Sequence, residues 1–155
     1  MFDIAENRER LDLIMPDAET VIWELGDITD FERLTEVAET HNIEAIIHLA
    51  ALQVPFCKAD PVGSTRINVM GSIHMLELAR RRGITRVSYA SSVAAPAMGD
   101  NDWLATLYGA HKICGEQMAA VYWQDWGVPS IGIRPAIIYG PGRDQGMSAA
   151  PTIAL

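Results

Sequence analysis

Tyr108 and Lys112 stand four residues apart in the run Leu107-Tyr-Gly-Ala-His-Lys112, and upstream Ser91-Ser92 closes an apolar, β-branched segment. On a helix, that spacing puts phenol and ammonium on one face about one turn apart, where a serine at a strand tip can approach both. A free phenol, with a pKa of roughly 10, is a poor base at neutral pH, and a nearby fixed cation lowers that value by favouring the phenolate. The chemistry to expect is proton-coupled hydride transfer. Tyr108 takes a proton from a substrate hydroxyl while hydride leaves the same carbon for a nicotinamide, and Ser92 holds the oxygen. In reverse, the same residues reduce a ketone. The plain structural reading of so short a motif is an amphipathic helix with a buried tyrosine and a solvated lysine.

The elements that must position these residues alternate along the chain. Residues 21–23, 43–49, 87–90 and 131–133 read as short buried strands, each followed by turn or helix signals. Thr29-Asp-Phe-Glu32 reads as a capping box that opens a helix with Phe31, Leu34 and Val37 on its apolar side. Asp60-Pro61 opens the next helix and Gly83 ends it. The helix carrying Tyr108 and Lys112 is predicted from about residue 103 to 126, ahead of Gly127, with a stripe of Leu104, Leu107, His111, Cys114, Met118 and Val121. Strand alternating with helix gives an α/β fold with a parallel sheet.

Several stretches carry a family resemblance in a fixed order. They are Gly26-Asp-Ile-Thr-Asp30, His48-Leu-Ala-Ala51, Ile67-Asn-Val-Met-Gly71, Tyr89-Ala-Ser-Ser92, Tyr108-Gly-Ala-His-Lys112 and Arg134-Pro-Ala-Ile-Ile-Tyr-Gly-Pro-Gly142. From Gly26 to Gly142 the chain resembles the extended short-chain dehydrogenase/reductase family, the NAD-dependent sugar epimerases and dehydratases. The resemblance implies a partial Rossmann-like sheet flanked by helices and NAD as cofactor, with NADP as the open alternative. It implies that Asp27 and Ile28 contact the adenine, that Leu49, Ala50 and Ala51 line the cofactor, that Asn68 helps position it, and that Pro135 is also a cofactor-binding residue. Phe2-Asp3-Ile4 resembles the end of the family's second strand, so Asp3 is the residue expected on the ribose hydroxyls. Ser92, Tyr108 and Lys112 are the implied catalytic residues, with Lys112 also on the nicotinamide ribose.

The chain departs from the family pattern twice. Ser91-Ser-Val-Ala-Ala-Pro-Ala97 replaces the usual Ser-Ser-x-x-Val-Tyr-Gly, which alters the wall on the substrate side. None of the twelve glycines forms the Gly-x-x-Gly-x-x-Gly turn that brings backbone to a pyrophosphate at a helix N-terminus. Gly140-Pro-Gly142 with Gly146 reads as an ordinary loop, on which Arg143 and Asp144 face either substrate or solvent. Residues 1–155 are therefore expected to form a partial NAD(P)-binding domain without the first βαβ portion or the substrate lobe. In the sheet order 3-2-1-4-5-6, strands two and one separate strand three from strand four. With both removed, the 21–23 strand either closes against 43–49 to give a four-stranded sheet or stays apart, leaving an edge and an apolar face that would recruit another chain.

Composition narrows the partners. A net charge of −8 repels phosphate backbones, which argues against nucleic acid as a partner. The one basic run, Arg80-Arg-Arg82 before Gly83, complements the C-terminal dipole of a helix. No apolar stretch reaches membrane-spanning length, the N-terminus lacks a signal-peptide pattern, and the two cysteines have neither metal-ligand nor redox spacing. A cytoplasmic setting and no metal site are expected. His48, ending a strand, reads as a hydrogen-bonded core histidine, and His41 and His74 lack partners for a metal. Tyr122, Trp123 and Trp126 read as packing near a helix end. The helix over 61–82 is apolar on most sides, which with the family resemblance implies a homo-oligomer. Two functions stand: an oxidoreductase or epimerase acting on a small molecule, a nucleotide sugar by resemblance, or a non-catalytic remnant that cannot hold a dinucleotide.

Overall fold

The structure, a computed structural model, describes residues 1–96 and 105–140. Among them, five strands form two parallel sheets. In the first, β1 (Phe2–Asp3) pairs with β2 (Glu24–Leu25). In the second, β4 (Arg86–Ala90) lies between β3 (Ala45–His48) and β5 (Ile131–Ile133). Parallel neighbours need crossovers. Helices α3 (Val54–Ala59), α4 (Pro61–Thr65) and α5 (Gly71–Arg82) join β3 to β4, and α6 (Leu107–Trp126) lies between β4 and β5. Helices α1 (Glu9–Ile14) and α2 (Phe31–Thr40) flank β2 in sequence.

One core serves the larger sheet. Ile46 and Val87 pack against Met75, Leu76 and Ala79 of α5 and Ala119 of α6. Alternation along β3 turns Ile46 and His48 inward and leaves Ile47 74% exposed; Ile131 and Ile133 of β5 are exposed too, one strand further across the sheet. The parallel α/β architecture flanked by helices is the one expected.

The strand at 21–23 is displaced. Pairing falls on Glu24–Leu25 because its partner is β1: the Glu24 amide donates to the Met1 carbonyl and the Gly26 amide to Asp3. Arg8 meanwhile holds the carbonyls of Ala18 and Val21 and lies over the Trp23 ring. Strand β2 stays apart from β3, but it is not left without a neighbour as expected, because Phe2–Asp3 pairs with it inside the chain. The capping box is also corrected. Asp30, not Thr29, caps α2 by accepting from the Arg33 amide, while the Thr29 amide and hydroxyl both go to Asp27.

The single helix expected over 61–82 is three pieces, preceded by α3, which its sequence does not announce. Between α4 and α5 a π-helical turn, Arg66–Met70, places Asn68 among the buried residues. Gly71, opening α5, lies where a Cβ would sit 2.9 Å from Ile28, so only glycine lets this helix approach the residue after β2. Gly83 and Gly127 end their helices in the left-handed region at φ 67° and 65°. Helix α6 begins later than expected, after the Thr106 cap, and Leu104 lies outside the described residues. Its buried positions are Gly109, His111, Ala119 and Tyr122; of the expected stripe only His111 is among them, and Leu107 and Val121 are exposed. Tyr122 rotates the face inward, its hydroxyl donating to Glu77 of α5 and its ring packing on the exposed Trp126.

Candidate functional site

The site is built where β4 ends and α6 begins. Beyond Ala90 the pairing with β5 continues along two irregular segments, the Ser91 amide donating to the Ile133 carbonyl and the Val93 amide to Pro135. Glu116 of α6 fastens both segments: Ser91, 2% exposed, donates its hydroxyl to this carboxylate, and Arg134 grips it through two nitrogens. Those bonds hold the Glu116 carboxyl below its usual range, with Arg134 the largest cause. Ser91 is thus a buried anchor, which leaves the half-buried Ser92 to face the site.

Helix α6 approaches this turn unusually closely. A Cβ on Gly109 would lie 2.5 Å from the Ala94 carbonyl oxygen, so glycine is required there. The approach brings Ser92 near enough to the Tyr108 phenol to act on its ionisation, while the Ser92 hydroxyl oxygen accepts from the Ala94 amide at 3.1 Å. Lys112 lies over the Tyr108 ring, its ammonium 5.5 Å from the centroid, and donates to the Ala90 carbonyl at 2.6 Å. Ser92, Tyr108 and Lys112 therefore come together. The expected depression of the Tyr108 pKa is not found. Burial raises it, and the nearby Ser92 opposes without reversing the shift. Lys112 is held at the ring face and the Ala90 carbonyl, and burial lowers its own pKa.

A second group surrounds the segment after β3. Leu49 and Ala50 are exposed there and Ala51 is half-buried. Asn68 pins this segment: its Oδ1 accepts from the Leu52 amide at 2.7 Å and its Nδ2 donates to the Leu52 carbonyl at 2.9 Å. Both polar ends of Asn68 are thus spent on protein. What it can do for a ligand is hold the segment's shape. Asp27 is exposed at the end of β2, and the two bonds from Thr29, the backbone one first, lower its pKa. Ile28 buries its side chain against Gly71 and gives its carbonyl to His74, which leaves its amide as the group it can offer. Asp3 is exposed at the tip of β1, its carboxylate accepting from the Ile4 amide. These residues follow the C-terminal ends of β1, β2 and β3, the side on which open parallel sheets bind ligands.

His48 is the core histidine expected of it. Its Nε2 reaches the Ser72 hydroxyl at 3.3 Å, and burial, then the charge of Lys112, bring its pKa down to about 4. No group of three metal-ligating residues occurs among the described residues. Pro141, Gly142, Arg143, Asp144 and Gly146 lie outside them. Sequence reasoning passed over Glu116, Gly109 and His111. Glu116 had a signal, since it follows Lys112 by one further turn of the same helix face.

A model of the NAD dependent epimerase/dehydratase family matches residues 4–154. UDP-glucose 4-epimerase of Mycolicibacterium smegmatis is 31% identical over 129 residues, covering 77% of this chain and 41% of that protein. L-Threonine dehydrogenase of Clostridium difficile has a solved structure that superposes with a TM-score of 0.73 at 28% identity, over 90% of this chain and 46% of that one. UDP-glucose 4-epimerase of Brucella ovis, solved in complex with NAD, gives a TM-score of 0.67 at 28% identity, over 92% of this chain and 47% of that one. The chain spans less than half the length of the curated relatives it matches.

Proposed function

Since the chain belongs to the NAD-dependent epimerase/dehydratase family, we propose that it forms the part of an NAD(P)-dependent oxidoreductase or epimerase that carries the proton-transfer residues and the adenosine contacts. The observation that carries this reading is the cluster of Ser92, Tyr108 and Lys112, in which the serine lies near the phenol and the ammonium covers its ring. Bound NAD supplies the hydride acceptor. Tyr108 takes the proton of the substrate hydroxyl, Ser92 orients that oxygen, and the charge of Lys112 favours the phenolate as it develops. An epimerase returns hydride to the other face of the transient ketone; a dehydrogenase releases it.

The residues present suit the two ends of the dinucleotide. The exposed Asp27 carboxylate and the Ile28 amide fit an adenine edge, Asp3 fits ribose hydroxyls, the segment 49–51 fits a cofactor wall that Asn68 keeps in shape, and Pro135, which follows β5 and bonds Val93, is proposed as a further cofactor contact. The sequence carries no glycine-rich turn for the pyrophosphate. That lack favours a second reading, in which this polypeptide by itself is a non-catalytic module. The substrate is proposed to be a small hydroxylated molecule, with a nucleotide sugar as the class that its epimerase relatives suggest. The protein is proposed to be cytoplasmic and homo-oligomeric, and no described helix is long and apolar enough to cross a membrane.

The test supplies the rest of the family fold, covalently or in trans, and measures hydride transfer. Tyr108→Phe is expected to lower turnover by about 10²-fold or more with cofactor affinity nearly unchanged, and Lys112→Met to weaken both. A Tyr108→Phe variant that keeps more than roughly a tenth of the rate would show that the base lies elsewhere.

A further inference from the structure

His111 sits inside the Tyr-x-x-x-Lys stretch, yet it faces away from the proposed chemistry and is 5% exposed. Its Nε2 lies 3.0 Å from the Thr65 hydroxyl, and its Nδ1 lies 3.2 Å from Asn68 Nδ2. The partners fix the tautomer. Thr65 has one hydroxyl proton and spends it on the Pro61 carbonyl at 2.7 Å, so towards His111 it must accept, and Nε2 carries the hydrogen. Nδ1 is then the acceptor. Asn68 is fixed in turn, because the Leu52 amide donates to its Oδ1 and so sets which end is which. Its two amide hydrogens face the Leu52 carbonyl at 2.9 Å and His111 Nδ1 at 3.2 Å, with Cys57 Sγ a longer third acceptor at 3.5 Å.

This network joins two structures that a dinucleotide site must hold in register: the segment after β3, through Leu52, and the helix that bears Tyr108 and Lys112. We propose that His111 is a positioning residue which, as the neutral Nε2–H imidazole, locks the 49–52 segment to helix α6 by way of Asn68, and that its protonation releases the lock. The word positioning rests on the cofactor reading above; the lock itself is a property of this chain alone.

The consequence of protonation follows from what faces the ring. A proton on Nδ1 would point at the Asn68 amide hydrogens. The other group near that nitrogen is Cys57 of α3, whose Sγ stands 4.0 Å away and gives its own hydrogen to the Leu52 carbonyl. Thr65 of α4 and Asn68 of the π turn are uncharged, and the charged neighbour, Lys112 on the same helix, is a cation. Burial first and Lys112 second lower the His111 pKa, in keeping with a ring held neutral. To accept the proton, Asn68 must turn and give up Leu52.

Two measurements on the full chain, neither of which needs a cofactor, decide the matter. Long-range ¹H–¹⁵N correlation of the imidazoles is expected to show His111 as the Nε2–H tautomer at pH 7. Amide exchange is expected to show Leu52 protection dropping by about tenfold more than that at Val87 in β4 as His111 titrates, the loss of one hydrogen bond's worth of protection beyond the acid destabilisation that the whole fold shares. His111→Phe should show the lowered Leu52 protection at every pH. His111→Gln, whose amide both donates and accepts, should restore it without pH dependence. An Nδ1–H tautomer, or Leu52 protection in His111→Phe equal to that of the unmodified chain, overturns the proposal. If His111→Phe fails to fold, the tautomer and the pH dependence of Leu52 in the unmodified chain still decide. NAD added to the unmodified chain separates the two readings: signals at 49–51 that stay unmoved count against the cofactor, and leave the lock to the exchange data.

Discussion

Acidification should destabilise this fold through His48 well before its carboxylates titrate. His48 is 7% exposed, its pKa lies at about 4 in the folded chain, and an unfolded histidine titrates near 6.5. Between those values the unfolded chain binds a proton that the folded chain refuses, so stability is full above pH 6.5 and is lost as pH falls towards 4. A gap of this size, at about 1.4 kcal/mol per unit, amounts to roughly 3 kcal/mol in all; about 1 kcal/mol is lost by pH 5.5 and 2–3 kcal/mol by pH 4.5. His111, whose pKa is also lowered, contributes over the same range, so a variant must isolate His48. His48→Gln keeps a donor for Ser72 and cannot titrate. Urea unfolding of both proteins at pH 7, 5.5 and 4.5 gives the comparison, with the variant expected to lose about 1 kcal/mol less than the parent between the first two values. Glu77, whose carboxyl Arg80 first and Arg81 after it hold down at about 2, acts only below pH 4.5 and leaves this window clear. Parallel pH profiles for the two proteins would refute the assignment.

The packing of the serine turn against α6 makes two further predictions. Gly109→Ala gains about 1 kcal/mol of helix propensity but drives a methyl to 2.5 Å from the Ala94 carbonyl oxygen, so a net loss of roughly 1–3 kcal/mol is expected by urea unfolding, and a stabilised variant would mean that the turn can retreat. Glu116→Gln removes the charge that Ser91 and Arg134 share; with Arg134 nearly half exposed, a loss of about 1–2 kcal/mol is expected, and an unchanged urea midpoint would show that the clamp contributes nothing.

What the sequence made legible was whatever short-range chemistry dictates. The β3, β4 and β5 runs, the glycine stops at Gly83 and Gly127 and the Tyr108/Lys112 spacing follow from local rules, and the structure contains them, although β5, expected to be buried, is exposed along its length. What escaped depends on partners far along the chain. Strand β2 falls at Glu24–Leu25 because Phe2–Asp3 lies beside it, which no pattern within residues 21–25 reports. The π turn at Arg66–Met70 satisfies Asn68, whose partners Leu52 and His111 are 16 and 43 residues away. The Tyr108 pKa moves upward because the fold buries the phenol, a quantity that motif spacing does not contain.

The central proposal is that this chain presents the adenosine and nicotinamide ends of a dinucleotide site, with no glycine-rich turn in its sequence to supply backbone donors for the pyrophosphate, and a titration with NAD followed by amide and side-chain NMR tests it most directly. Two charge-assisted bonds missing, at about 1.5–3 kcal/mol each, weaken affinity by roughly 10²–10⁴-fold, so saturation is expected in the millimolar range rather than the micromolar. Shifts should concentrate at Asp27, Ile28, Leu49 to Ala51 and Lys112, and Asp27→Ala should remove the adenine-side shifts. Micromolar binding would contradict the missing pyrophosphate contacts, and millimolar NAD that leaves these residues unmoved would contradict the site itself.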